Sequence, residues 1–235
     1  MRDFKNGEIL YIDKPLGWTS FKVVGRMRWM LSRKIGVKRL KVGHAGTLDP
    51  LATGVLVVCT GRATKKIESL QTGIKEYTAE IKLGATTPSY DLEHEIDHTY
   101  PWQHITREKV EEVLKTFEGE IEQVPPIYSA CKIGGRRAYQ LVRDGEEVAL
   151  RSKTVRIDSI ELMECDLPSI KIKVVCGKGT YIRSLARDIG LALESGAHIT
   201  SLRRTRVGGA TEADCMTMDQ FEEWLDKVEI NSVKE

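Results

Sequence analysis

The chain has 235 residues, enough for one large domain or two small ones, and its hydrophobic share of 41% is ordinary for a soluble globular protein. No apolar run approaches the roughly 20 residues of a membrane span, and the first ten residues lack the apolar core of a signal peptide. The five cysteines show no CxxC spacing, which argues against a disulfide framework or a zinc site and favours a reducing cytoplasm.

The formal net charge of +2 is distributed unevenly along the chain. Residues 211–235 contain eight acidic and two basic residues, a net charge of −6, so residues 1–210 carry +8. Five basic residues also cluster in 33–41 and three more in 203–206. Such clusters usually form a solvated face, but several of them on one domain suit a polyanion.

The N-terminal part predicts a strand, a turn and a helix. Residues 8–12 form the strand, Pro15 and Gly17 mark the turn, and Thr19 or Ser20 can cap the helix. The apolar residues of this helix follow helical spacing: Phe21, Val24, Met27 and Leu31.

The stretch KVGHAGTLDPLATGVLVVCTGRATK, residues 41–65, has a loop half and a strand half. Two glycines and Pro50 favour a loop over 43–50, and the β-branched run over 54–59 predicts a buried strand. A lone carboxylate, that of Asp49, is thereby held where it could be aimed at a reactant. An Asx turn before Pro50 explains the same spacing, and the spacing alone favours that turn.

The middle of the chain predicts one more strand and one more helix. Apolar and polar residues alternate strictly over 75–84, which predicts a half-buried strand with Tyr77 on its core face. A tyrosine in that position is usually a packing residue. The polar segment 88–105 contains three histidines but no helical or strand frame to arrange them, so we predict no metal site. Thr106 should cap a helix over 107–117.

The segment that follows, from Gln123, mixes aromatic, basic and glycine residues. This mixture suits contacts to an RNA backbone and its bases, although a basic surface loop would look similar. Its basic candidates are Lys132, Arg136, Arg137 and Arg143.

The last third predicts a strand over 155–162 with a bulge near Ser159, a strand over 170–176, and a helix capped by Thr180. Arg183 falls in the first turn of this helix, where the helix dipole disfavours a cation. We therefore expect a carboxylate or phosphate partner for it.

Four segments of this chain, in this order, carry a family resemblance: DKPLGWTS from Asp13, HAGTLDPLATGVL from His44, KEYTAEIKLG from Lys75 and GKGTYIRSLARDIG from Gly177. Between and after them come QVPPIYSACKIGGRRAYQLVRDG and SLRRTRVG. Together they resemble the TruB family of tRNA pseudouridine synthases, and the resemblance extends from residue 8 to about 210.

The resemblance implies roles for the matching positions. Asp49 of GTLDP would be the essential catalytic residue, and Arg183 would pair with it. Tyr77 would stack on the target base, while Tyr181 and Leu202 would line the pocket.

The resemblance also implies contacts to RNA. His44 would contact the displaced base stack, and a loop histidine bonded to the backbone explains the sequence equally well. An insertion over about 125–152 would fold over the T loop of tRNA. The implied or candidate RNA-binding residues are Lys132, Arg136, Arg137, Arg143, Arg203 and Arg204.

The implied fold class is α+β: a large mixed, mostly antiparallel sheet flanked by helices, with the T-loop-binding insertion. The implied organisation is a single catalytic domain over 1–235 with a C-terminal helix at about 218–229, begun by a capping box at Thr217, and without a full PUA domain. The implied reaction is isomerisation of uridine 55 in tRNA by base flipping, without cofactor or metal. We expect a cytoplasmic monomer.

Alternatives remain at this point. The first is a non-catalytic tRNA-binding or tRNA-folding module on the same scaffold. A carboxylate-dependent glycosidase usually needs two acids, whereas the motif offers only Asp49. A relative that works in a guide-RNA complex is disfavoured by the length and the motifs. Addition to uracil C6, attack at ribose C1′ and proton removal from C2′ would each use one carboxylate, and the sequence does not choose among them.

Overall fold

The computed structural model describes residues 1–129, 131–134, 136–145 and 150–230. By its internal contacts the chain divides into two compact units. The first contains residues 1–76 together with those from 203 onward, and the second contains 77–202. The division falls within two long strands, between residues 76 and 77 and between residues 202 and 203. The organisation as a single catalytic domain stays a prediction.

The first unit is built around a short sheet covered by helices. Its elements are β1 Ile9–Lys14, α1 Ser20–Lys34, β2 Val42–Ala45, β3 Ala52–Thr60, α2 Ile67–Leu70, the end of β12 Ala197–Val207, β13 Ala210–Thr211 and α6 Met218–Lys227. Its strands are ordered β1-β3-β12. Strand β3 also pairs antiparallel with β2, and β12 pairs antiparallel with β13.

Strand β3 is buried on both faces, which explains its nearly continuous apolar sequence. Leu56 and Val58 belong to one core with residues of α1 and α6. Val55 and Val57 belong to a second core on the opposite face. The predicted buried strand is confirmed, and it forms a rigid base beside the loop that carries Asp49.

Helix α1 begins where the sequence predicts, because the Thr19 side chain accepts a hydrogen bond from the Lys22 N–H. Its buried face includes Val23, Val24, Met27, Met30 and Leu31. The prediction that Phe21 lies on this face is wrong: Phe21 is 72% exposed. The buried stripe starts one residue earlier, at Ser20, so Phe21 is turned about 100° away from it.

The second unit contains the elements β4 Lys75–Leu83, β5 Ala85–Thr86, β6 His98–Thr99, α3 Arg107–Thr116, β7 Gly119–Gln123, β8 Lys132–Ile133, β9 Arg136–Arg137, α4 Ala138–Arg143, β10 Lys153–Asp166, β11 Ser169–Cys176, α5 Ile182–Ala192 and the start of β12. Its long strands are ordered β12-β4-β11-β10-β7. Strand β10 pairs antiparallel with both β7 and β11.

Most local predictions for the second unit are confirmed. Burial alternates along β4 with Tyr77 inward, and Thr106 caps α3. The register of β10 shifts between Ile157 and Ser159, where the sequence predicts a bulge. Thr180 does not cap α5: the N-cap is Tyr181, and the Thr180 hydroxyl donates to the Gly177 carbonyl, so that prediction is wrong by one residue.

The predicted α+β class with a large, mostly antiparallel sheet is confirmed: nine of the described strands belong to the largest sheet, and helices flank it. In the first unit the Thr217 capping box begins α6, as predicted. Within the described ranges, no helix is both long enough and apolar enough to cross a bilayer.

Candidate active site

Asp49 lies on the loop between β2 and β3, residues 46–51, which we call the Asp49 loop. The predicted loop over 43–50 is wrong at its start, because residues 43–45 pair with β3 as part of β2. The residue is half-buried, and its carbonyl accepts a hydrogen bond from the Ala52 N–H at 3.1 Å, which closes a turn into β3. Its neighbour Leu48 is held on both sides by Ser20, whose hydroxyl donates to the Leu48 carbonyl at 3.0 Å and accepts from its N–H at 2.9 Å. The backbone just before Asp49 is therefore fixed.

Lys14 holds the other side of the Asp49 loop. Its side chain is fully buried, and its ammonium group donates to the carbonyls of Pro15 at 2.9 Å, Trp18 at 2.5 Å and Pro50 at 3.2 Å. Burial lowers the pKa of Lys14 to about 8, while the charge of Asp49 acts in the opposite direction. A cation and a carboxylate thus share this corner of the first unit.

Sequence reasoning missed Lys14 as a site residue, although a signal was present. The residue lies within DKPLGWTS, and the alternation of β1 places Lys14 on the same inward face as Leu10 and Ile12. A charged residue at an inward strand position needs polar partners. The three carbonyls supply them.

Arg204 supports the Asp49 loop from β12. Its side chain is only 1% exposed, and its guanidinium donates to the carbonyls of Val55 at 2.8 Å, Gly46 at 3.1 Å and Thr47 at 3.5 Å. Gly54 permits the backbone of Arg204 to pack closely against β3, since a Cβ on Gly54 would lie 2.2 Å from the Arg204 carbonyl oxygen. This burial corrects the prediction that Arg204 contacts RNA: strand alternation turns its guanidinium inward, onto the loop.

The adjacent Arg203 points to the other face of β12 and is surrounded by acids. It forms two hydrogen bonds to Asp13, at 3.0 and 2.9 Å, and a further short ion pair with Glu212. The hydrogen bonds to Asp13 raise the pKa of the Arg203 guanidinium. Its charge is already compensated inside the first unit, and its contact to RNA stays a prediction.

His44 lies on β2 opposite Val58, two residues before Gly46. It is half-buried at the entry to the Asp49 loop. Its contact to the displaced base stack stays a prediction.

In the second unit, Arg183 is the buried charge, with 3% exposure. Its guanidinium donates to the carbonyls of Ser89 at 3.0 Å and Tyr128 at 2.9 Å, and its Nε lies 3.6 Å from Asp91 Oδ2. The prediction that Arg183 has a carboxylate partner is confirmed by Asp91. The role of Asp91 was missed, although the residue follows the KEYTAEIKLG motif closely.

Three pocket residues implied by the resemblance also belong to the second unit. Tyr77 and Leu202 are buried, at 8% and 9% exposure, on the neighbouring strands β4 and β12. Tyr181 is half-buried at the start of α5, and its N–H donates to the Gln123 side chain at 2.8 Å. The predicted pairing of Asp49 with Arg183 joins residues of different units and stays a prediction.

The three histidines of 88–105 each have a different neighbour. The His94 ring packs on Tyr128 at 4.4 Å, His98 is exposed beside Asp97, and His104 bonds the Leu193 carbonyl at 2.9 Å. Within the part of the chain that the structure describes, no group of three or more histidine, cysteine or acidic side chains could hold a metal ion.

The basic candidates of the insertion are described only in part. Arg136 forms an ion pair with Asp144 at 2.5 Å, and Arg143 is exposed at the end of α4. The side chains of Lys132 and Arg137 lie outside the described residues.

Two family models together match residues 32–232 of the chain. A family model described as TruB family pseudouridylate synthase (N terminal domain) matches residues 32–182. A second, described as tRNA pseudouridylate synthase B C-terminal domain, matches residues 183–232.

The chain is similar to proteins named tRNA pseudouridine synthase B from several bacteria. The relative from Phocaeicola vulgatus is 64% identical over 98% of both chains. One from Bacteroides fragilis is 65% identical over 97% of this chain and 98% of its own. One from Mycobacterium bovis is 45% identical over 92% of this chain and 72% of its own.

Solved structures share the fold at lower identity. A chain in a Cbf5-Nop10-Gar1 complex is 34% identical, with a TM-score of 0.70 over 96% of this chain. A chain in an archaeal box H/ACA sRNP Nop10-Cbf5 complex is 31% identical, with a TM-score of 0.67 over 94% of this chain. The matches cover 58% and 54% of those chains, so this chain spans little more than half of their length.

Proposed function

Because the chain belongs to the TruB family of pseudouridylate synthases, we propose that it isomerises uridine to pseudouridine in tRNA. The observation that carries the proposal is the Asp49 loop. A half-buried carboxylate lies on a loop whose backbone is held by Ser20, Lys14 and Arg204. Groups fixed in this way act without reorganising during the reaction.

The reaction breaks the N-glycosidic bond, rotates the uracil and rejoins it through carbon. It needs a carboxylate, a means to hold the freed base, and access to a nucleotide within folded RNA. Asp49 supplies the carboxylate. Tyr77 supplies the stacking face, with Leu202 and Tyr181 as pocket walls, and His44 contacts the displaced stack. Extruding the base costs about a few kcal/mol, which stacking and phosphate contacts offset.

Arg183 is proposed as the partner that keeps Asp49 ionised. A guanidinium binds a carboxylate with two parallel N–H groups, which fixes its orientation and lowers its proton affinity. The orientation of Arg183 is itself fixed, because the Ser89 and Tyr128 carbonyls and Asp91 each hold part of its guanidinium. Such an arginine loses little freedom when it binds one more group.

The proposed substrate position is uridine 55, in the T loop. The insertion over about 125–152 folds over the T loop, and the enzyme works as a cytoplasmic monomer without a cofactor. Support for the compartment comes from the five cysteines, all of which are free thiols.

A release assay tests the proposed activity. tRNA labelled with tritium at uridine C5 should release its label with the wild-type protein, and mapping should place the product at position 55. The matched control is Asp49→Asn, which removes the charge and keeps the shape. Tight tRNA binding without release by the wild-type protein would favour the second candidate, a non-catalytic tRNA-binding module.

Recognition by the T arm has its own test. An isolated T-arm hairpin should be modified almost as well as whole tRNA, with kcat/KM values compared at fixed salt. Neutralising Arg136 and Arg137 together should weaken binding to both RNAs equally and flatten the log–log salt dependence by about one to two units. A loss above about tenfold on the hairpin, roughly 1.4 kcal/mol, would show that contacts outside the T arm matter.

A further inference from the structure

The outer side of α1 and the loop after it form a groove in the first unit, which we call the Trp29 groove. Its volume is about 450 Å³, and its charged and aromatic lining consists of Arg28, Trp29, Arg33, Lys38 and Arg39. The lining, all of it within the described residues, includes no acidic side chain. A groove with this lining attracts anions.

Three of these cations have no acidic partner among the described residues. Arg33, Lys38 and Arg39 are exposed, and no described acidic side chain lies within ion-pair distance of them. The neighbouring Arg26 differs, because it pairs with Glu222 at 3.4 Å. Three like charges at one rim repel each other, and a row of phosphates would remove that repulsion.

Trp29 gives the groove a second property. Its side chain is 51% exposed and lies off the buried stripe of α1. The guanidinium carbons of Arg26 and Arg33 lie 5.0 and 5.5 Å from its ring centre, so cation–π contacts hold the indole in place. An ordered, exposed aromatic ring among cations is a stacking surface for a nucleobase.

The groove is also tied to the Asp49 loop through the backbone. The Arg28 guanidinium donates to the Val42 carbonyl at 3.0 Å, at the start of β2. Only four residues separate Arg39 from His44, where the HAGTLDP motif begins. RNA bound in the groove would therefore be held by the same part of the first unit that carries Asp49.

We propose that the Trp29 groove is an RNA-binding site, in which Arg33, Lys38 and Arg39 bind phosphates and Trp29 stacks on an unpaired base. RNA fits better than an acidic protein because the groove combines separated cations with an exposed aromatic ring. Proteins bind single-stranded RNA with this combination, since the cations bind phosphates and the ring stacks on a base. The proposed function enters in one respect only: it makes the bound RNA the tRNA substrate.

The test compares two triple variants with equal loss of charge. R33Q/K38Q/R39Q removes the groove cations, and K5Q/K109Q/K115Q removes three exposed lysines elsewhere. Equilibrium binding of unmodified tRNA is measured over a range of salt concentrations. The groove variant should bind about tenfold or more weakly at 0.1 M salt, and its log–log salt slope should be flatter by about two units, since each lost phosphate contact contributes about 0.7–0.9. The control slope should change by less than about half a unit.

The stacking contact is tested separately. W29A should weaken binding while leaving the salt slope unchanged, and W29F should restore most of the affinity because it keeps a stacking ring. Equal shifts in the two triple variants, or W29A and W29F that both bind like the wild type, would overturn the proposal. RNA affinity that survives in the groove variant would instead favour an acidic protein as the occupant, and the proposal would again fail.

The proposal remains testable if the triple variant folds poorly. K38Q/R39Q alters only the loop after α1, where neither side chain has an acidic partner among the described residues, and it should flatten the slope by about one to two units. Binding is measured without turnover, so failure of this proposal and failure of the proposed activity are separate results. The second would appear as absent tritium release by a wild-type protein that still binds tRNA.

Discussion

The Asp49 loop and the Trp29 groove lie in the same unit and both depend on cations, yet they use them in opposite ways. Lys14 and Arg204 are buried, and their donors bind backbone carbonyls around Asp49. Arg33 and Lys38 are exposed and have no acidic partner among the residues described. The comparison shows that a buried cation can act as structural support, whereas an exposed and unpaired one is available to a ligand.

The support has a physical basis. A buried charge is costly unless hydrogen bonds replace its hydration. Carbonyl oxygens do this for Lys14 and Arg204, and in exchange the carbonyls of Gly46, Thr47 and Pro50 become fixed points on either side of Asp49. The loop is thereby ordered before any substrate arrives, which favours catalysis by a positioned group.

The largest effect on activity should come from Asp49, the residue on the loop that Lys14 and Arg204 hold. Asp49→Asn should reduce turnover by at least about a hundredfold, the scale of a lost catalytic acid–base group. Its tRNA affinity should stay within about tenfold, since affinity rests mainly on phosphate contacts. Single-turnover rates and filter binding measure the two quantities. A variant that keeps more than a few per cent of the wild-type rate would remove Asp49 from the chemistry.

Arg183 is a buried cation of the second unit, and Asp49 is its further proposed partner. Arg183→Lys should lower kcat by up to about a hundredfold, which is a smaller loss than that of Asp49→Asn. The reason is that a lysine cannot make the two-pronged contact to a carboxylate. Asp91→Asn serves as the comparison variant, since Asp91 contacts Arg183 within the second unit. An Arg183→Lys protein with wild-type kcat would separate Arg183 from Asp49.

Arg203 and Arg204, neighbours on β12, allow a direct comparison of a partly exposed arginine with a buried one. Arg204→Lys should lower the free energy of unfolding by about 2–4 kcal/mol, because buried carbonyls lose their donors. Arg203→Lys, one residue away and partly exposed, should cost about 1 kcal/mol or less. Urea unfolding of both variants measures this difference. Equal losses would mean that burial does not separate the two roles.

The smallest effect is a pH dependence from Lys14. Burial lowers its pKa to about 8, so above this pH the unfolded chain binds more protons at Lys14 than the folded one. Its contribution to the free energy of unfolding should therefore rise between about pH 8 and the ordinary lysine pKa near 10.4. Lys14→Met should lose this rise while other groups keep theirs. Unfolding curves for both proteins across that range would reveal it, and parallel curves would contradict it.

Local features of this chain could be predicted from its sequence. Thr19, Thr106 and Thr217 cap helices, and the alternation around Tyr77 gives a strand with that ring inward. These features depend on residues a few positions apart, so the sequence order already contains the interacting groups. The motifs likewise identified Asp49 and Arg183 as candidates, and with them the family.

Only the tertiary structure decided which charges are buried and what they hold. Arg204 reaches a carbonyl 158 residues away, and Arg183 one 94 residues away. In sequence, Arg203 and Arg204 look alike, and a count of basic residues places both on an RNA-binding surface. Strand alternation turned one toward Asp13 and the other toward Gly46. That difference depends on which chain segments pack against β12, and local sequence preferences do not contain it.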